Sequence, residues 1–164
     1  MKKSFLIRLF SVIVFFLTFF SFISCSDEKV NEEENVVTID QLPQKAKDFL
    51  DEYFYGYSVI KIEQEIDDTI VLYEVDLQDG YEVVFNEEGE WTQVVAPYGK
   101  TIPEGFIPDP VLQTLNDRFQ GYGLNQINTT GEGYKVELSN NQGGAGLDVF
   151  FNMSGEIIGI DELD

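Results

Sequence analysis

Phe-Tyr-Gly-Tyr-Ser-Val-Ile-Lys-Ile at 54–62 and Phe-Gln-Gly-Tyr-Gly-Leu-Asn-Gln-Ile at 119–127 follow one pattern and lie 65 positions apart (Gly121 minus Gly56). Matching pairs continue on both sides of it: Leu42-Pro43 with Ile107-Pro108, Tyr73-x-Val75-x-Leu77 with Tyr134-x-Val136-x-Leu138, and Val84-Phe85-Asn86 with Phe150-Phe151-Asn152. Similarity at a fixed period is the signature of a repeated structural unit. The sequence therefore predicts two tandem copies of a unit of about 55–60 residues.

Each copy begins with a predicted helix. Apolar residues recur at i, i+3 and i+4 over 46–57 and over 112–122, and a proline precedes each stretch at a position that suits the first helical turn. Gly56 and Gly121 follow the helices, at the C′ position where left-handed geometry favours glycine. The shared Phe-x-Gly-Tyr motif is thus interpreted as the end of a helix.

The remainder of each copy alternates apolar and polar residues, as antiparallel strands do. The predicted strands lie near 58–66, 69–78, 81–86 and 90–95 in the first copy and near 122–130, 133–139, 147–152 and 156–161 in the second. The predicted fold class is α+β, a tandem repeat of a helix plus a four-stranded antiparallel sheet with the helices packed on one sheet face. The copies occupy 41–96 and 107–164, with a linker at 97–106.

Strict alternation assigns the strand residues to two faces. One face is apolar and should meet the helices: Tyr73, Val75, Leu77, Tyr81, Val83, Phe85, Val94, Tyr134, Val136, Leu138, Leu147, Val149, Phe151 and Ile160. The opposite, open face is mixed and provides the candidate interaction surface: Leu72, Glu74, Val84, Trp91, Gln93, Phe150 and Ile157. An apolar patch rimmed by carboxylates is typical of a partner surface. The alternative is that the linker covers Trp91, with Tyr98 and Phe106 packed against it.

The motifs of the first copy, ending in Val-Val-Phe-Asn-x-x-Gly-x-Trp at 83–91, resemble the PepSY-like family, whose members are also described as β-lactamase-inhibitor-like. The resemblance covers nearly all of 42–163, and the second copy departs from it at Ile157, the counterpart of Trp91. It implies helix-plus-four-strand repeats whose sheets join. By analogy it also implies a binding or inhibitory module, and it carries over no catalytic residues.

The first 24 residues have the composition of a secretory signal peptide. A basic start with Lys2, Lys3 and Arg8 precedes an apolar run over 9–23. A membrane span needs roughly 20 apolar residues, so an uncleaved anchor is the weaker interpretation.

Cys25, the only cysteine, ends this segment. Phe22-Ile23-Ser24-Cys25 resembles the lipobox of bacterial lipoproteins, in which the signal is cut before the cysteine and the cysteine carries lipid. Ser24 fits the small residue before the cut, whereas Phe22 departs from the usual leucine. The alternative is a spare buried thiol.

Residues 25–40 are acidic and lack aromatic side chains, which predicts a disordered tether between lipid and domain. Ser26-Asp27-Glu28 resembles the acidic export signal of Bacteroidota lipoproteins, which directs them to the outer face of the outer membrane. A plain acidic linker is the alternative. The expected localisation is the cell envelope, as an outer-membrane lipoprotein that is either periplasmic or surface-exposed.

The charge and composition exclude several function classes. The formal charge of −20 becomes −23 when Lys2, Lys3 and Arg8 leave with the signal peptide, which argues against nucleic acid as a partner. The chain has no histidine, the commonest general base and metal ligand. The Asp76–Gly80 stretch lacks the ligand spacing of a calcium loop. Asp67-Asp68 could bind a cation, but a turn is the favoured interpretation. No catalytic, cofactor-binding or metal-binding residues and no cofactor are therefore predicted.

The predicted function is that of a non-enzymatic binding module, expected to be a monomer. It would engage a protein or peptide through the open face and reach the membrane through its lipid. A structural envelope lipoprotein without a ligand site is the alternative. A carboxylate-based hydrolase is the least favoured class, because so many acidic residues produce pairs by chance.

Overall fold

Two helices of equal length precede the two halves of the sheet: α1 (Gln44–Tyr53) and α2 (Asp109–Arg118). The computed structural model describes residues 35–67, 70–140 and 145–163; the predicted signal peptide, Cys25 and the first part of the tether lie outside the described residues. Pro43 and Pro108 stand immediately before the helices, as the sequence predicts. Among the described residues, no helix combines the length and the apolar character needed to cross a membrane.

A β-turn ends each Phe-x-Gly-Tyr motif. In the turns Phe54–Tyr57 and Phe119–Tyr122, the N–H of the last residue donates to the carbonyl of the first, at 3.0 and 3.2 Å. Gly56 (φ 89°) and Gly121 (φ 92°) are the third residues of these turns, where a positive φ requires glycine. The predicted left-handed geometry is confirmed, and it belongs to a turn after the helix rather than to the C′ position.

The eight strands form one antiparallel sheet in sequence order. Their bounds are β1 Val59–Asp67, β2 Ile70–Leu77, β3 Glu82–Asn86, β4 Trp91–Val95, β5 Tyr122–Thr129, β6 Gly133–Asn140, β7 Leu147–Asn152 and β8 Ile157–Glu162. Strand β4 pairs with β5, Val94 lying opposite Ile127. The four strands that follow each helix therefore join into one sheet, as the family resemblance implies.

Each half contains two β-bulges at matching positions. The register skips Ile60 in β1 and Asn125 in β5, again 65 positions apart. It also skips Thr92 in β4 and Ile158 in β8. An extra residue in one strand reverses the facing of every residue beyond it, so these four positions decide which side chains share a face.

One hydrophobic cluster joins both helices to the sheet. Ala46 and Leu50 of α1 and Val111 and Leu115 of α2 are buried in it together with the strand residues. The strand residues fully or almost fully buried there are Ile62, Val75, Leu77, Val83, Phe85, Val94, Leu124, Ile127, Val136, Leu138, Val149 and Phe151, and Tyr81, immediately before β3, is buried with them. We call this side of the sheet the helix face. Ile160 stands opposite Val149 on the helix face, as predicted, and it is 43% exposed because β8 is an edge strand.

The end of the predicted tether is ordered against the sheet. Val36 forms an antiparallel bridge with Glu63, the N–H of Val37 donates to the carbonyl of Ile62 at 3.0 Å, and the N–H of Gln64 donates to the carbonyl of Asn35 at 2.9 Å. Edge strand β1 offers unpaired backbone groups there, and an extended segment satisfies them. The structure thus differs from the predicted disorder over 35–40.

Gly89 and Gly155 lack a side chain, which lets the β3–β4 and β7–β8 turns approach the helix N-termini closely. Both have φ 78°, and a Cβ at Gly89 would lie 2.8 Å from Pro43 and one at Gly155 would lie 2.6 Å from Pro110. Gly89→Ala and Gly155→Ala should each lower the free energy of unfolding by about 2–4 kcal/mol, through left-handed strain and overpacking. Urea denaturation measures this loss.

Gly99→Ala is the matched control. Gly99 has φ 77°, but a Cβ there would meet nothing within 4 Å, so only the backbone cost of about 1 kcal/mol applies. Equal losses at all three glycines would contradict a close contact between the helices and the turns.

Candidate functional site

The open face is the side of the sheet opposite the helix face. One continuous cross-strand row traverses it from β1 to β8: Glu63, Glu74, Val84, Gln93, Asn128, Lys135, Phe150 and Gly159. A second row runs beside it: Lys61, Asp76, Glu82, Val95, Gln126, Glu137, Asp148 and Asp161. All of these residues keep partial or full exposure to solvent. The face is therefore polar, acidic and accessible along both rows.

Five of the seven predicted surface residues lie on the open face: Leu72, Glu74, Val84, Gln93 and Phe150. The other two, Trp91 and Ile157, lie on the helix face, so their predicted placement is wrong. Because Thr92 and Ile158 are bulged, Trp91 stands opposite Phe85 and Ile157 opposite Phe151. Strict alternation cannot reveal a bulge, which shifts the pleat by one residue.

Trp91 is half-buried in an aromatic cluster on the helix face. Its ring meets the edge of Phe106 at a centroid distance of 5.1 Å and stacks on Tyr134 at 6.3 Å. Phe106 in turn contacts Phe49 of α1 at 5.1 Å. The linker does pack on Trp91 through Phe106, as the alternative interpretation expected, whereas Tyr98 is fully exposed.

Three carboxylates converge at the β1–β2 end of the open face. Glu63, Glu74 and Asp76 each place one oxygen within 4.8 Å of the others. Lys61 forms a salt bridge with Glu63 at 2.9 Å. Pairing of β1 with β2 sets Glu63 directly opposite Glu74, a contact between like charges that is destabilising in a sheet.

Glu74 holds its proton unusually tightly. Burial, followed by the negative charges of Glu82, Asp76, Glu65 and Glu63, raises the pKa of Glu74 to about 7. The neutral form avoids both the desolvation cost and the repulsion, which accounts for this direction. Burial and Asp76 also raise the pKa of Glu82, and a hydrogen bond from Gln93 partly offsets this rise.

A chain of amide hydrogen bonds crosses the junction between the two halves. Gln126 donates to Asn128 at 2.7 Å, Asn128 donates to Gln93 at 2.7 Å, and Gln93 donates to the Glu82 carboxylate at 3.2 Å. Charge-assisted bonds to a carboxylate are stronger than neutral ones. The ladder therefore orients the amides of β4 and β5 toward the acidic end of the face.

The second half of the open face is closer to charge balance. Lys135 forms a salt bridge with Asp148 at 2.7 Å, and the other Asp148 oxygen is buried without a hydrogen-bond partner. The Phe150 ring covers Gly159 of β8, where a Cβ would come within 3.4 Å of it. This end of the face thus offers an aromatic surface beside an internally paired lysine.

The carboxylate cluster lies outside the cavity that the described residues form. Glycoside hydrolysis needs two carboxylates flanking an enclosed bond, and the Glu63, Glu74 and Asp76 cluster lies on an open sheet surface. A cavity of about 90 Å³ beside α2 has one carboxylate, Glu104, in its lining. Sequence reasoning missed the acidic cluster because it arises from the β1–β2 register; the alternating acidic residues at 63, 65, 74 and 76 were its signal.

Known proteins resemble this chain in sequence and in structure. The profile of a family described as "Putative beta-lactamase-inhibitor-like, PepSY-like" matches residues 71–159, from β2 into β8. Among curated protein sequences, none matches this chain.

Similar solved structures include three periplasmic proteins from Bacteroides. One, from Bacteroides vulgatus and described as a "putative periplasmic protein" of the DUF2874 family, is 26% identical with a TM-score of 0.71, covering 80% of this chain and 98% of its own. Another from the same species, of unknown function, is 27% identical with a TM-score of 0.68, covering 77% and 97%. A "putative calcium-regulated periplasmic protein" from Bacteroides thetaiotaomicron is 25% identical with a TM-score of 0.69, covering 77% and 95%.

Glu74 should make the stability of the fold depend on pH. Because its pKa is raised to about 7, the folded protein binds the proton more tightly than the unfolded chain, so the stabilisation is lost as pH rises through about 7. The free energy of unfolding should fall by about 1–2 kcal/mol from about pH 5 to about pH 8, after allowance for solvent screening. Urea denaturation across this range measures the fall, which Glu74→Gln should reduce; the raised pKa of Glu82 accounts for the part that remains.

Glu137→Gln is the matched control, since it neutralises a carboxylate of the same face in the other half and leaves Glu74 intact. The fall should persist in this variant. A fall of the same size in Glu74→Gln would mean that other groups cause it.

Proposed function

Because the chain belongs to the PepSY-like, β-lactamase-inhibitor-like family, we propose that it is a non-catalytic binding module that engages a protein or peptide through its open face. The observation that carries this proposal is the accessible double row of predominantly polar residues across all eight strands. A hydrogen-bonded sheet presents these side chains at fixed spacing, so a partner meets a preorganised surface.

The partner that best fits this face is positively charged. Glu63, Glu74 and Asp76 repel one another, and a lysine or arginine from a partner relieves that repulsion. Complementary charge also speeds encounter and excludes acidic proteins. The amide of Gln93 reaches toward this end of the face through its hydrogen bond to Glu82, which lies opposite Asp76 in the neighbouring strand.

A divalent cation is a second candidate ligand of the same carboxylates. Calcium prefers carboxylate and amide oxygens, and each of the three clustered side chains offers one oxygen within 4.8 Å of the others. A similar solved structure is described as calcium-regulated, which supports this candidate. The cation would occupy the acidic end of the face and compete there with a basic side chain.

Location in the cell envelope completes the proposal. We assign residues 1–24 to a signal peptide, Cys25 to lipid attachment and the following acidic residues to a tether, on the lipobox-like Phe22–Cys25 segment. The periplasmic descriptions of the similar structures support an envelope location. We also propose that the domain arose by duplication, since its bulges and helix-end turns recur at matching positions.

Photo-crosslinking tests the open face. Benzoylphenylalanine at Val84, on the open face, should give a discrete adduct in a Bacteroides envelope extract, and the same residue at exposed Gln113 of α2 should not. Glu74→Lys should reduce the Val84 adduct by about tenfold, because it places a positive charge where the partner's cation binds. Gel electrophoresis and mass spectrometry measure and identify the adduct.

Glu52→Lys on α1 is the matched control, with the same charge change on an exposed helix, and it should leave the adduct unchanged. Equal adducts from Val84 and Gln113 would contradict the proposed surface. Added calcium separates the two ligands: a stronger adduct indicates a cation that bridges protein and partner, and a weaker one indicates competition.

Cys25→Ser should release the protein from membranes. Acyl chains contribute about 0.8 kcal/mol per buried CH₂, so the lipidated chain stays bound whereas the serine variant has no acylation site. Fractionation of cell membranes with immunoblotting measures the distribution. A serine variant that remains in the membrane fraction would contradict lipid anchoring, and Ser26→Ala serves as the neighbouring control.

A further inference from the structure

The outer edge of β8 presents backbone groups with a defined spacing. The N–H of Leu163 donates to the carbonyl of Gly146 at 2.9 Å, and this pair continues the β7–β8 register. Hydrogen-bonded and non-hydrogen-bonded pairs alternate along antiparallel strands. The N–H and C=O groups of Ile160 and Glu162 therefore point away from β7. In the described part of the chain, no strand pairs with this edge.

Strand β4 is the counterpart of β8 in the first half of the sheet, and its outer edge pairs with β5. Both β4 and β8 have a bulge at their second residue, and the core residue that follows is Val94 in β4 and Ile160 in β8. Strand β5 covers the edge of β4, and Val94 is completely buried; Ile160 is 43% exposed. The N–H of Ala96 donates to the carbonyl of Asn125 at 2.7 Å, so Val94 and Ile127 form a hydrogen-bonded pair.

The residues beyond Ile160 indicate which side chains a strand added at this edge would need. Where β4 has Val95 and Ala96, β8 has Asp161 and Glu162. Asp161 belongs to the open-face row and stands beside Asp148. In β5, Gln126 lies opposite Val95, and the equivalent position of an added strand lies opposite Asp161. A lysine or arginine there complements the charge.

We propose that the β8 edge binds an extended basic segment of a partner protein, which adds antiparallel to the sheet with an apolar residue opposite Ile160 and a cationic residue opposite Asp161. This surface is distinct from the middle of the open face. The backbone bonds supply affinity and the alternating side chains supply specificity, as in other strand additions. A second copy of this chain fits poorly, because pairing β8 with itself would bring the acidic ends Asp161 and Glu162 into the interface of two strongly negative proteins.

The probe is a fluorescently labelled peptide with the β5 sequence Tyr122–Thr129, in which lysine replaces Gln126. Fluorescence anisotropy measures its binding to the full chain in a non-ionic detergent. Ile160→Pro should weaken binding by at least about tenfold, since it removes an outward N–H donor while leaving the bonds to β7 in place. Methylating the peptide nitrogen at the Ile127 position should weaken it similarly, without any change to the protein.

Ile66→Pro is the matched control. Ile66 lies in the opposite edge strand, two residues beyond Gln64, whose N–H points outward, and it is 60% exposed. This variant should bind the peptide within about twofold of the unaltered chain. Asp161→Lys should weaken the lysine peptide and strengthen a peptide with glutamate at the same position.

Several results would overturn the proposal. One is that the peptide does not bind the unaltered chain, and another is that it binds Ile160→Pro equally well. A third is that the N-methylated peptide binds as tightly as the unmethylated one. The last is a sedimentation experiment in which the unaltered chain self-associates and Ile160→Pro converts it to monomers. Glu74→Lys separates the two surfaces, since it should reduce the Val84 adduct by about tenfold and leave peptide binding at β8 intact.

Discussion

The single-residue bulge at Thr92 is the constraint on which both faces of the sheet depend. Without it, Trp91 would share a face with Val84 and Gln93 and would be the largest apolar group on the exposed side. With it, Trp91 stands opposite Phe85 and contacts Phe106 of the linker and Tyr134 of the second half. One extra residue therefore fastens the linker to the core and leaves the open face polar.

The helix face stabilises the fold, whereas the open face carries repulsion between like charges. Among the described residues, no polar or charged residue is fully buried, so the helix face is stabilised by apolar burial and aromatic contacts. The open face carries like charges at adjacent positions, with Glu63 opposite Glu74. Such an arrangement weakens the isolated fold and is relieved by a proton, a cation or a basic partner. Conditions that change charge therefore act on one side of this molecule.

Local sequence chemistry was sufficient to predict most of the fold. Pro43, Pro108 and the glycines marked the helix ends, and alternation located all eight strands within one or two residues. Alternation failed at Trp91 and Ile157, because bulges depend on pairing between strands. The acidic cluster was missed for the same reason: Glu63 and Glu74 are eleven positions apart in the chain and meet only through the β1–β2 register.

The segment Asn35–Val37 pairs with one edge of the sheet, whereas no strand of the described residues pairs with the other edge. A sheet with two equivalent free edges can add copies of itself without limit, which is how fibrils grow. Here the chain's own residues occupy the outward backbone groups of Ile62 and Gln64. A strand that adds at this edge would first have to displace the segment, which therefore protects the β1 end from uncontrolled strand addition.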